Sequence, residues 1–126
     1  MDAYIPAATA DDVLRIVRRD FPDERSGSVV RLLRGYGTET WHREVHRVHL
    51  AILKLAGGDP ERLLEHLQVA AIDFRDVLFA AECPRASRLG FTGAAGLTAS
   101  ELDEMRKEDW EEYQDWLRRP GEVSLR

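Results

Sequence analysis

The tetrapeptide Gly57-Gly58-Asp59-Pro60 limits what this chain can fold into more than any other stretch. On its N-terminal side, Trp41, Val45, Val48, Ile52, Leu55 and Ala56 share one face at about 100° per residue. On its C-terminal side, Leu63, Leu67, Ala70, Phe74, Leu78 and Ala81 make a second stripe. Glycines end helices, and Asp at the N-cap with Pro at the next position opens them. Two amphipathic helices joined by so short a link fold back on one another. The sequence therefore predicts a central antiparallel hairpin. Its first arm starts near Thr38 or Glu39 and ends at the glycines. Its second runs from Asp59-Pro60 to Pro84 without a break. Ile72 and Phe79 lie off the second stripe, which predicts that this arm is covered on two sides.

The flanking segments also read as helices. Thr9 is a good N-cap, with Asp11 and Asp12 near the positive end of the dipole. Val13, Ile16, Val17 and Phe21 then recur at helical spacing until Pro22. A second helix runs from Pro22 or Asp23 to Arg34, with Val29, Val30, Leu33 and Tyr36 as its apolar side. Residues 85–97, RASRLGFTGAAGL, read as a loop crossing the bundle, with Leu89 and Phe91 tucked in. Thr98 and Glu101 have capping-box spacing. They open a last helix with Leu102, Met105, Tyr113, Trp116 and Leu117 on one face, stopped by Pro120-Gly121. No segment reads as a strand. The expectation is an all-α, compact single-domain bundle of about five helices over residues 1–126.

With 44% apolar and 33% charged residues, a folded chain is favoured over disorder. No apolar run approaches the roughly 20 residues that span a bilayer. The N-terminus MDAYIPAATADD lacks the basic and apolar regions of a secretory signal. Cys83 is the only cysteine, which excludes an internal disulfide and a cysteine-based zinc site. These features point to a cytoplasmic protein. Sixteen of the eighteen basic residues are Arg, as in proteins from GC-rich bacteria. The net charge of −5 sits in the second half, where residues 64–126 carry thirteen acids and eight bases. That balance argues against nucleic acid as a partner and would steer a basic protein toward the C-terminal half.

HREVHRVH, residues 42–49, places three histidines in eight residues. On a helix, His42 and His46 stand four apart on one face, as two metal ligands would. Glu44 is out of place for the H-E-x-x-H pattern. A tetrahedral site for a divalent transition metal would also need ligands beyond His42, His46 and His49. His66, Asp73 and Asp76 are the candidates. The competing reading places these amphipathic rings at the flank of a packed face. Asp73, Arg75, Asp76 and Glu82 form either a carboxylate pair in a cleft or, preferably, an inter-helix salt-bridge network. Arg43 or Arg47 would then reach Asp73 or Asp76. Cys83, far from any helix N-terminus that would activate it, reads as inert packing.

Residues 101–115, ELDEMRKEDWEEYQD, hold eight acids and two bases around aromatic residues. Tyr113 and Trp116 are expected to pack inward. Glu108, Trp110, Glu111 and Glu112 are the candidate docking surface for a basic partner. No Gly-rich phosphate loop, Ser-centred elbow or basic–aromatic strip is present.

ILKLAGGD (52–59), followed by DFRDVLFAAECP (73–84) and by Tyr113, Trp116 and Leu117, carries a resemblance. The chain resembles a group of small uncharacterised bacterial all-helical proteins with LAxLKLAxGD-like and RDVLxxAEYP-like motifs. Phe74 and Cys83 stand where that pattern has Tyr, and the histidine triplet lies outside it. The resemblance implies a helical fold and a bacterial source, and no activity. The expectation for function is a non-catalytic cytoplasmic protein-interaction module that binds a basic protein or itself. An immunity-type neutraliser of a basic toxin is one version, with no nucleic acid, membrane or cofactor involved. The alternative is a metal-binding protein or metal-dependent enzyme built on the histidine stripe. A small-ligand bundle would need a cavity.

Overall fold

The computed structural model describes residues 6–39 and 42–120. They form α1 (Ala10–Asp20), α2 (Asp23–Leu33), α3 (Val45–Ala56), α4 (Pro60–Ile72), α5 (Phe74–Glu82), α6 (Pro84–Ala95) and α7 (Ala99–Arg118), with no strand among them. Gly90, at φ 75° and ψ 178°, kinks α6 into two pieces. The all-α class is as expected. With the two pieces of α6 counted separately, the described residues form eight helices rather than about five.

Two of the differences have clear local causes. Asp73 breaks the second long apolar segment. Its extended backbone (φ −152°, ψ 101°) ends α4, and its side chain accepts the Arg75 amide at 3.0 Å to open α5. An Asp side chain competes with the helical backbone for such donors, whatever the apolar periodicity around it. Of residues 85–97, expected as a loop, 85–95 instead follow Pro84 into α6. Proline at a first helical position is pre-set for that role. Leu89 is partly exposed rather than tucked in, and the Phe91 side chain lies outside the described residues.

The third segment starts later than expected, at Val45. Glu44 precedes it in the left-handed region (φ 51°), so the backbone at 44 is not helical. Trp41 lies outside the described residues. The second segment is also less covered than its stripes suggested. Ile72, the last residue before the break, is 88% exposed, and Phe79 is about half exposed.

α3 lies at the centre and packs against α1, α4 and α5. From Val48 to Leu53 every residue is buried. A helix apolar on all sides belongs in the middle of a fold. Ile16, Val17, Leu33, Leu63 and Val77 close around it, and Tyr113 of α7 is buried with them. The expected caps are present. Thr9 accepts from Asp12 at 3.1 Å, Asp59 accepts from Glu61 at 2.9 Å, and Thr98 with Glu101 completes a capping box.

Gly57 (φ 57°) closes α3, its amide bonding the Leu53 carbonyl. Gly58 (φ 85°) lies against the end of α1, where an added Cβ would meet the Asp20 carbonyl oxygen at 3.0 Å. Gly57→Ala is expected to cost about 1–2 kcal/mol, the left-handed backbone penalty alone. Gly58→Ala is expected to cost more, because backbone has to move as well. Urea denaturation of both variants checks the order, and equal losses would show that α1 does not press on this link.

Candidate functional site

The histidines occupy three different environments. His42 precedes α3, so the helical i, i+4 placement with His46 does not form. Its Nδ1 instead accepts the Gly37 amide at 2.7 Å and the Glu39 amide at 3.2 Å, which requires the proton on Nε2. Its ring stacks on Tyr36 at 4.3 Å. Tyr36, itself buried, donates its hydroxyl to the Arg43 carbonyl at 2.7 Å and accepts the Arg43 amide at 3.1 Å. Burial pushes its phenol up, with Arg43 opposing. Tyr36 is thus the peg to which His42 and Arg43 are tied.

His49 is buried, with Nε2 2.8 Å from the Tyr36 carbonyl oxygen. Burial holds it below its ordinary value of 6.5. The Tyr36 carbonyl opposes that shift and neighbouring His46 adds to it. His46 is exposed, its ring edge-on to His49 at 6.4 Å.

Among the described residues no three His, Cys, Asp or Glu side chains gather as a metal ion would need. The extra ligands considered from sequence are placed apart from any such group. His66 is half-buried on α4, where burial and Arg62 lower it. Asp73 caps α5, and Asp76 is exposed in its first turn. Beside His46 and His49 there is instead a cleft of about 300 Å³ between α1, α2 and the start of α3. Val13, Val30, Leu33 and Val45 form its walls, with Arg34 at the edge. Periodicity buries faces and is silent about gaps between them, so the sequence could not disclose it.

The charge network forms with different partners from those expected. Arg47 reaches Glu82, not Asp73 or Asp76, and the fork is bidentate with Nε to Oε2 at 2.6 Å. α5 has nine residues, about 13 Å by helical rise, and Asp73 and Glu82 stand at its opposite ends. Arg47 faces the C-terminal end. Donating to the Glu82 carboxylate raises the Arg47 guanidinium further above its usual value. Asp73 pairs locally with Arg75 at 3.1 Å, and that bond lowers its carboxyl.

Asp109 was missed. It reads as one of many solvated acids, yet it is 1% exposed. Its Oδ1 accepts the Arg85 amide at 3.2 Å and the Arg85 Nη1 at 2.8 Å, which ties α7 to the first turn of α6. The one available signal was position, since Asp109 sits four residues after Met105 and four before Tyr113. Burial, then Asp109 and Glu82, push the Cys83 thiol up.

Tyr113 and Trp116 are buried, and the Arg19 guanidinium lies 5.2 Å over the Trp116 ring. The four residues expected to form the docking surface divide. Glu112 is partly claimed by the bundle, with Lys54 and Arg85 each 3.4 Å away. Glu108 lies 3.9 Å from Arg85, Trp110 is half-buried and Glu111 is exposed. Comparison with protein-family models, curated proteins and solved structures gives no match.

Two outcomes follow. Arg47→Leu and Glu82→Leu should each cost about 2–4 kcal/mol, because one buried charge then lacks its partner. That figure is discounted because the Arg47 side chain keeps 19% of its exposure. The double variant should lose less than the sum, and strict additivity in a denaturation cycle would refute the coupling. For His49, the unfolded chain takes up a proton before the folded one. Its contribution is complete above about pH 6.5 and is lost as pH falls from there toward the depressed folded value. His49→Gln should therefore flatten the fall in unfolding free energy between pH 7 and 5. His66, lowered in the same direction, leaves a residual slope. An unchanged slope would remove His49 from the account.

Proposed function

We propose that this chain is a non-catalytic bacterial interaction protein that binds a basic protein partner through the outer face of α7. The observation that carries the reading is an acidic stripe. Glu104, Glu108, Glu111 and Asp115 follow at spacings of four, three and four, and all are exposed. Glu104, Glu111 and Asp115 make no ion pair with any described residue. Acids left without an internal partner are available to steer and hold a cationic surface. Trp110, half-buried beside the stripe, adds an aromatic anchor of the kind enriched at interfaces.

The frame supports this use. In our reading α3 and α4, joined through Gly57 and Gly58, form the central antiparallel hairpin. α7 is then held in place by Asp109 on Arg85 and Glu112 on Lys54. No helix among the described residues is long and apolar enough to cross a membrane. Neutralisation of a basic toxin is the concrete version that size, acidity and the missing catalytic motifs favour. A bacterial source rests on the resemblance and on the Arg-rich basic composition.

The test uses Glu104→Lys, Glu111→Lys and Asp115→Lys together, leaving Glu112 and Asp109 in their structural pairs. Cross-linking in cells of the source, with the intact and reversed proteins compared, should show the bound partner lost from the reversed form while its melting temperature stays within a few degrees. The same partner held by both forms would rule out this face.

A further inference from the structure

The α1–α2 face carries a second feature, independent of the acidic stripe. Next to the cleft described above lies another of about 290 Å³ between α1 and α2. The two share Leu14, Val30 and Arg34, so they adjoin, and together they are taken as one groove. Its floor is aliphatic. Its margin carries Arg18, Arg31 and Arg34, all exposed.

These arginines differ from their neighbours. Arg15 pairs with Asp12 at 3.5 Å and Arg19 with Asp20 at 2.8 Å. Arg18, Arg31 and Arg34 have no hydrogen bond or ion pair from their side chains to any described residue. Asp11 and Glu24, acids on the same two helices, line neither cleft. The polar groups at the inner end are occupied, since the Tyr36 hydroxyl bonds the Arg43 backbone and His49 bonds the Tyr36 carbonyl. Exposed His46 also lines the cleft.

We infer that this groove binds a single-chain amphipathic anion, its tail along the shared aliphatic floor and its carboxylate on the arginine margin. Guanidinium groups match a carboxylate in a planar, two-bonded geometry. At a solvated margin the charge selects the head group more than it tightens binding. The floor supplies most of the affinity, on the order of fourfold per buried methylene. Two joined clefts of this size, each near the lower end of ligand pockets, suit one narrow chain better than a two-tailed lipid.

The test is calorimetric titration of the intact protein with laurate below its micelle concentration. Octanoate, dodecyltrimethylammonium and anionic phospholipid vesicles serve as comparison probes. Laurate should bind one to one, at least tenfold tighter than octanoate and at least tenfold tighter than the cationic twelve-carbon probe. Arg31→Gln with Arg34→Gln, both at exposed positions, should keep the melting temperature and weaken laurate about three- to tenfold. Equal binding of the anionic and cationic probes overturns the inference. So does unchanged laurate affinity in the double variant, or binding to vesicles without binding to monomeric laurate.

Discussion

The enclosure of α3 is the constraint on which the rest of the structure depends. Six successive residues from Val48 to Leu53 are buried, so this helix has no wet side in its middle turns. A polar group carried into that environment without a partner costs about 1–3 kcal/mol, a sizeable share of a domain's stability. Two polar groups accompany these turns. Arg47, one residue before the buried run, is met by Glu82 from the end of α5. His49, inside it, is met by the Tyr36 carbonyl from the turn after α2. Each partner belongs to a different element. Satisfying α3 therefore also ties it to the end of α5 and to the turn at Tyr36. The caps and apolar stripes build the helices, and these two polar contacts help decide how they are arranged around the centre.

Much of this was legible from residue order. Thr9, Asp59-Pro60 and Thr98-Glu101 mark helix starts because capping is a local bond between near neighbours. The apolar positions of α1, α3 and α7 name most of the core because period 3.6 reports which side is dry. The failures lie where two local rules compete. Through Asp73 the apolar repeat continues unbroken, yet a side-chain cap wins over helix continuation. Around residues 85–97 the small residues suggested a loop, yet a proline at the first position and an alanine-rich run sufficed for a kinked helix. Asp109 shows a third kind of failure. A carboxylate in an acidic segment carries no local mark of burial, since its partner Arg85 lies 24 residues away.

The histidine segment shows how much a functional reading owes to the backbone beneath it. As helix neighbours, His42 and His46 offer two converging ligands. With the helix starting at Val45, the same residues become a turn clasp and a solvent-facing ring. What the segment borders is a groove, and its character is set by the arginines of α1 and α2 rather than by the imidazoles. The acids of α7 divide in a similar way. Asp109 and Glu112 are drawn into holding the bundle, while Glu104, Glu111 and Asp115 are left facing outward.

Asp73 is the C-cap of one helical rod and the N-cap of the next, the single residue between them. A joint of that kind has no slack. Inserting or deleting a single residue there would turn α5 by about 100° about its own axis. Glu82 would swing off the side that faces Arg47, and Val77 and Ala81 would leave the core with it. Length polymorphism between sister sequences should therefore be excluded from this junction and tolerated around the Gly90 kink, where the helix is already interrupted.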